Sequence, residues 1–199
     1  MATNRAIAAT SAALVTMLTA ESEREAQADP LLPKWTVSLY QAEQLQKPTE
    51  GVVISVYLYR VGLSVARRDR GLRVGADGTY LASLPVDLHY LVTAWSGSAD
   101  TSQRLLGWAI SVLNDTPVIP TSMLNTFPGT PVFDDDEQVE LLWEPLSLTD
   151  LYDVWQVASQ RAAPSASYVA RAVRIDSQVK IEGGGIVRER DLEVARGPS

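Results

Sequence analysis

Few side chains in this 199-residue chain could do chemistry. His89 is the sole histidine and there is no cysteine, so a histidine-dependent triad or dyad would have to use His89. His89 lies in the middle of an apolar, strand-like segment, where a histidine is usually a packed or hydrogen-bonded core residue. One histidine and no thiolate also disfavour a zinc or transition-metal site. The sequence therefore predicts that His89 is structural.

A second candidate is the acidic cluster formed by Asp134, Asp135, Asp136 and Glu137. Carboxylates are ligands that Ca²⁺ and Mg²⁺ prefer, but this cluster lacks the alternating ligand spacing and turn glycine of an EF-hand loop. The pattern favours a solvated acidic loop, with a carboxylate-based hydrolase as an alternative. No phosphate-cradling, dinucleotide-binding or nucleophile-elbow glycine motif occurs in the sequence. We therefore predict no catalytic residue, no cofactor and no metal ion.

The third candidate is the only basic cluster, which comprises Arg67, Arg68, Arg70 and Arg73. Such a cluster could bind phosphate or nucleic acid, but a formal net charge of −7 and a pI near 4.7 oppose general binding to nucleic acid or anionic membranes. Ion pairs between subunits, or a solvated loop, fit an acidic chain better. The four arginines and the acidic cluster are therefore candidate interface residues between proteins.

The N-terminal segment raises the question of a targeting signal. Ile7 to Ala20 is apolar and residues 26–28 could pass for a signal-peptidase site, but Glu21 to Glu25 crowd the stretch before it. Helical spacing explains the segment better, because apolar or small residues recur every three or four positions from Ile7 to Leu18. No segment has the roughly 18 uninterrupted apolar residues of a membrane span. We expect a soluble, mature helix here.

Two periodicities place the main elements around these candidates. Alternation predicts strands over Trp35–Tyr40, Val52–Val61, Pro85–Trp95, Gln138–Trp143 and Ser167–Ile175. Helical spacing predicts further helices from Thr101 or Ser102 to Leu113 and from Ser147 or Thr149 to a point before Pro164. Residues 41–50 are predicted as a polar connection, 62–80 as a long loop or ragged hairpin, and 118–130 as mainly loop. Both faces of Val52–Val61 are apolar, which predicts a central strand.

These elements predict one α/β domain of the mixed α+β type, with a central mixed sheet flanked by helices. A chain of this length with 46% hydrophobic residues can bury a single core. We place this domain at residues 1–176. Residues 177–199 are rich in glycine and charge, and are expected to be a flexible tail or a partner-binding extension.

Three stretches, in order and with their spacing, resemble one protein family. Residues 85–95 (PVDLHYLVTAW), 105–117 (LLGWAISVLNDTP) and 148–155 (LTDLYDVW) followed by 164–169 (PSASYV) resemble a central strand, a helix with its turn, and a last helix and strand. They resemble these elements in the tube-terminator family of extracellular contractile injection systems, the phage-tail-like particles of the antifeeding-prophage type. The resemblance runs from Ile7 to Ile175 and excludes the tail.

The resemblance implies a non-enzymatic subunit with a phage tail-terminator-like fold. It implies a ring, six-fold, at the baseplate-distal end of the inner tube, where it ends tube and sheath growth and stabilises the sheath. The implied partners are further copies of the chain, the tube protein and the sheath protein, without nucleic acid or membrane. Assembly would take place in the bacterial cytoplasm, and the particle can then be released outside the cell. A non-ring adaptor attached to the particle end is the alternative.

Two hypotheses concern the contact surfaces. The loop from Arg67 to Arg73 would pair with an acidic surface on a neighbouring cap, tube or sheath subunit, while the acidic cluster and charged sheet edges would make the far face a poor template for further growth. The segment after Asp176, with apolar Val179, Ile181, Ile186 and Val187, would add a strand to an open edge of a sheath subunit.

Overall fold

A six-stranded mixed sheet forms the centre of the molecule, with helices on both faces. The computed structural model describes residues 4–28, 33–47, 50–65, 71–75, 77–126, 131–135, 137–157 and 162–181. The helices are α1 (Ala6–Ala28), α2 (Ala42–Gln46), α3 (Ala99–Asp115), α4 (Thr121–Leu124) and α5 (Leu148–Val157). The strands are β1 (Thr36–Tyr40), β2 (Val53–Leu63), β3 (Arg73–Gly75), β4 (Gly78–Tyr80), β5 (Leu84–Trp95), β6 (Val118–Pro120), β7 (Gln138–Trp143) and β8 (Ser165–Ile175).

The sheet has the order β1-β2-β5-β8-β7-β6, in which β1 and β2 are parallel and the other pairs are antiparallel. This mixed sheet with flanking helices confirms the predicted fold class. All five predicted strands of the sheet and all three predicted helices are present.

One face of the sheet is covered mainly by α1 and α3. Ala6, Ala9 and Ala13 of α1 are fully buried, and such small side chains allow the helix to lie close to the strands. Leu105, Ala109 and Leu113 form the buried stripe of α3, at the three- and four-residue spacing that the sequence indicated. The resulting first core also includes α4 and the β6–β7 edge.

The opposite face carries a second, smaller core under α2 and α5. Leu45 of α2 and Trp155 of α5 pack with Val53, Leu91 and Trp95. The Trp95 and Trp155 rings meet edge to face with centroids 5.8 Å apart. Because successive side chains of a strand point to opposite faces, β2 and β5 supply both cores. The predicted two-sided apolar character of β2 is confirmed, and β2 lies inside the sheet between β1 and β5.

Three segments differ from the sequence-based prediction. Residues 41–50 contain α2, closed by the Gln41 backbone N–H donating to the Gln44 side chain at 2.7 Å. Residues 118–130 contain β6 and α4 rather than loop alone, because Ile119 is fully buried where β6 pairs with β7. Helix α3 begins at Ala99, earlier than predicted. Elements of three to five residues are too short to show a period, so the pattern could not reveal them.

A bulge in β8 is held by a side chain of the neighbouring strand. The register between β5 and β8 shifts at Val86 and Leu88, where two β8 residues oppose Asp87. Ala172 has a φ of 52°, a left-handed conformation that a residue with a Cβ adopts at a cost. Its backbone N–H donates to the Asp87 carboxylate at 2.8 Å. Asp87 thus fixes the bend of β8.

The boundary predicted at residue 176 does not coincide with the end of ordered pairing. Residues 179–181 form a third strand-like row beside the β3–β4 hairpin, through Leu81 N–H to Val179 O at 3.1 Å and Ile181 N–H to Thr79 O at 2.8 Å. This part of the predicted tail therefore belongs to the described fold. Residues 182–199, including Ile186 and Val187, lie outside the described residues.

Candidate assembly surfaces

We use the term arm for the small sheet formed by β3, β4 and residues 177–181. It extends from the end of the main sheet where β2 and β8 finish and β5 begins. Arg73 lies opposite Tyr80, and Tyr80 lies opposite Lys180. Directly opposed residues share a face, so these three side chains lie on one side of the arm and their neighbours in sequence lie on the other.

The polar face of the arm is held by ion pairs and hydrogen bonds. The Arg73 guanidinium lies over the Tyr80 ring, 4.6 Å from its centroid, and its Nε is 3.7 Å from Asp176 Oδ2. Its Nη2 also donates to the Ser177 carbonyl at 3.3 Å. Lys180 Nζ is 3.9 Å from Asp77 Oδ2. Arg73, one of the predicted interface residues, therefore binds the C-terminal segment of its own chain to the hairpin.

The other face of the arm is apolar and open. It presents Leu72, Leu81 and Val179 in one cross-strand row, and Val74, Thr79 and Ile181 in the next. Val74 is 82% exposed, and Leu72 and Val179 are each 58% exposed. Large apolar side chains in contiguous rows on a solvent-facing sheet are typical of a contact surface. Sequence reasoning did not single out these residues, although Leu72 and Val74 alternate with Arg73.

The acidic cluster forms a tight turn before β7. The Asp134 backbone N–H donates to Glu137 Oε2 at 2.9 Å, and the Glu137 N–H donates to the Asp134 carbonyl at 3.0 Å. The Thr121 hydroxyl donates to the Glu137 carbonyl. Asp134 and Asp135 are exposed, whereas Asp136 lies outside the described residues. The turn is therefore built from the cluster's own side chains, with two carboxylates facing solvent.

Glu137 differs from its acidic neighbours because it is mostly buried. Its side chain is 13% exposed, and its Oε1 lies 3.6 Å from Arg174 Nη1. Burial raises the pKa of Glu137 above its ordinary value, against the lowering effects of the Asp134 N–H and Arg174. Glu137 thus closes the turn and joins it to β8.

The structure brings the described candidate residues to one end of the main sheet. Arg174 of β8 binds Glu137 in the acidic turn, and Asp176, two residues later, binds Arg73 in the arm. The candidates Arg67, Arg68 and Arg70 lie outside the described residues. The described part of the predicted basic and acidic clusters is therefore not divided between opposite ends of the sheet.

His89 occupies the second face of β5 and is 4% exposed. Its Nδ1 lies 2.5 Å from Glu144 Oε2, and its ring is 6.0 Å from that of Tyr59, centroid to centroid. The packed, hydrogen-bonded environment predicted for His89 is confirmed. Within the described ranges, no group of three or more His, Asp or Glu side chains is placed to hold a metal ion.

The fold of the described residues is shared with structural subunits of contractile particles. A cryo-EM structure described as the PVC sheath/tube terminator of an extracellular contractile injection system in the extended state matches with a TM-score of 0.57 and 18% identity. The match covers 97% of this chain and 64% of the solved chain, so this chain spans less than two thirds of that protein. The anti-feeding prophage tube-terminating cap matches with a TM-score of 0.48 and 17% identity, over 76% of this chain and 58% of that chain.

The family is shown by the sequence itself. The model of the Pvc16 N-terminal domain matches residues 9–189, and the chain belongs to this family. The match includes the whole arm and continues past the boundary predicted at 176. A search of curated protein sequences gives no significant match. In the described residues, no helix is both long enough and apolar enough to cross a membrane.

Proposed function

We propose that this chain is a structural cap subunit that ends the tube and sheath of a contractile injection particle. In this role it forms a six-membered ring at the baseplate-distal end, stabilises the sheath and carries out no catalysis. Its assembly takes place in the bacterial cytoplasm, and it leaves the cell only as part of the particle. The observation that carries the proposal is the family match over residues 9–189, supported by the fold shared with a sheath/tube terminator.

A terminator needs two unequal surfaces. A tube grows because each ring presents a heterologous surface that recruits the next ring, so growth stops at a subunit that fits the last ring on one side only. The exposed carboxylates of Asp134 and Asp135, on a rigid turn at one end of the sheet, would make that end a poor template for a further acidic ring. The chain's net charge of −7 favours the same outcome.

The experiment that tests the cap role is the length distribution of particles, measured by electron microscopy in cells with and without the gene. We expect widely scattered tube lengths and unstable sheaths in its absence, restored by the wild-type gene. Unchanged lengths and intact ends would refute the cap role and favour an adaptor. The mass of the purified protein, alone and bound to tubes, tests the six-fold stoichiometry.

The basic cluster is proposed to pair with an acidic surface of a neighbouring subunit. Since Arg73 already binds Asp176 within its own chain, the proposal rests on Arg67 and Arg68. Reversing both charges (R67E/R68E) should weaken ring formation or capping without loss of helical and strand signal in circular dichroism. If capping is unchanged while R73E disrupts the arm, the loop is a solvated loop.

The C-terminal segment is proposed to add a strand to a sheath subunit. The structure sharpens the test, because truncation after Asp176 would also remove the third row of the arm. Truncation after Ile181 leaves the arm intact and removes only residues 182–199. If this shorter truncation leaves sheath attachment unchanged, the segment beyond 181 adds no strand to the sheath.

A further inference from the structure

We propose that the apolar face of the arm binds the exposed face of α5 on the next copy of this chain, forming the contact that closes the ring. The inference rests on the proposed ring-forming function and names the two surfaces that carry it. The arm face comprises Leu72, Val74, Leu81 and Val179. The α5 face comprises Leu148 and Tyr152.

The arm face has few neighbours within its own chain. Its four named side chains are between 45% and 82% exposed, although they stand on strands that are paired and ion-paired on the polar side. A face that is rigid and apolar at once loses contact with water on association without a large ordering cost. Burial of these rows against a partner is therefore favourable.

The α5 face is the second place where large apolar side chains are openly exposed. Leu148 is 86% exposed and Tyr152 is 56% exposed, and their four-residue separation places them on one side of the helix. The inner side of the same helix is occupied by Trp155, which is 3% exposed in the second core. Val74 and Leu148 are the two most exposed large apolar side chains of the described residues.

The two faces are unlike and lie in different parts of the fold. The arm extends from one end of the main sheet, whereas α5 lies on its second face. A contact between two unlike surfaces of identical chains is heterologous, and heterologous contacts close into rings when the rotation allows it. A second copy of this chain is thus an occupant whose matching surface is present on the molecule itself.

Charge complementarity favours the same pairing. Asp150 and Asp153 are exposed beside Leu148 and Tyr152, so the α5 face has an acidic border. The arm carries Lys180, whose side chain is 50% exposed, and Arg60 is exposed on β2 near the base of the arm. In a chain of net charge −7, two acidic surfaces would repel, and a cationic border opposite an acidic one removes that cost.

Disulfide trapping tests the contact directly, because the chain has no cysteine of its own. The double variant V74C/L148C would be oxidised in the assembled ring and analysed on a denaturing gel. We expect a ladder of covalent oligomers, since a disulfide needs Cα atoms within about 7 Å of one another. V74C alone and L148C alone should give no ladder. The matched control V74C/Q103C, which moves the second cysteine to the exposed side of α3, should also give none.

A second variant gives a readout that does not depend on geometry for a disulfide. V74D places a charge on the arm face at a position that folding leaves exposed, so circular dichroism should be unchanged. We expect the ring to dissociate at concentrations at least about tenfold higher than for the wild type. T16D, on the exposed side of α1, is the matched control and should leave the ring intact.

The outcomes separate this inference from the proposed function. If the wild-type protein forms rings and caps tubes while V74D does so equally well and V74C/L148C gives no ladder, the arm contact is wrong and the cap role stands. Trapping of V74C by a cysteine placed on the tube protein, in place of a ladder, would overturn it in favour of docking on the tube. Wild-type protein that neither forms rings nor caps tubes would overturn both.

Discussion

The buried hydrogen bond between Ser11 and Tyr90 gives a quantitative test of how α1 is fixed to the sheet. The two hydroxyl oxygens are 2.8 Å apart, and both side chains are almost completely buried. The Ser11 hydroxyl also donates to the Ile7 carbonyl at 3.0 Å. A serine hydroxyl has a single proton, so Tyr90 must be the donor in the bond that joins the helix to β5.

This assignment predicts unequal effects for the two single substitutions. In Y90F, Ser11 keeps its bond to Ile7, so only the net value of one hydrogen bond is lost, about 0.5–1.5 kcal/mol. In S11A, the Tyr90 hydroxyl remains buried without its acceptor, which costs about 1–3 kcal/mol. The double variant S11A/Y90F removes both polar groups and should be less destabilised than S11A.

The assay is urea unfolding followed by circular dichroism, with the four proteins compared at equal slope of free energy against urea. For a domain of this size, each kilocalorie corresponds to a shift of about 2–4 °C in Tm, so thermal melts provide a second measurement. A Y90F variant that is destabilised as much as S11A, or a double variant worse than S11A, would refute the assignment of Tyr90 as donor.

Three further predictions concern the bulge, the acidic turn and the second core. A172G should raise the free energy of unfolding by about 0.5–1 kcal/mol in urea, because glycine relieves the positive φ while Asp87 still accepts the backbone N–H. Burial raises the pKa of Glu137, so its contribution to stability is present below the ordinary glutamate pKa and is lost as the pH rises through the folded value; E137Q should therefore be more stable than the wild type near pH 7, and unfolding measured between about pH 4 and 7 should lack that decline. W155A should cost about 3–5 kcal/mol by thermal unfolding, whereas Y152A on the exposed side of α5 should change stability by less than about 0.5 kcal/mol.

The main sheet was predictable because its strands carry a strong local signal. Val52–Val61 and Pro85–Trp95 are long enough to show alternation, and apolar residues on both of their faces indicate positions inside a sheet. The structure gives both roles, since each strand supplies the first and the second core. The strand order could not be predicted in the same way, because it depends on which side chains meet across long sequence separations. The parallel pairing of β1 with β2 has no local signature.

The candidate surfaces were harder to predict because residues of one type that cluster in sequence need not act together. Arg73 was grouped with Arg67, Arg68 and Arg70 by its type, yet it binds Asp176 and Ser177, which are more than a hundred positions away. Glu137 was grouped with three aspartates, yet its side chain is buried and joined to Arg174. Only the three-dimensional partners separate charges that build the fold from charges that face solvent.

The same contacts fix the arm and the acidic turn relative to each other. Arg174 and Asp176 are two residues apart at the end of β8, and each binds one of the two features. In a ring of the proposed kind, arms that reach between neighbouring copies would therefore carry the exposed Asp134 and Asp135 of every subunit onto the same rim. Carboxylates repeated around a rim repel a further ring of acidic subunits at short range and are screened by salt. The end that closes the ring would then also be the end that refuses another one.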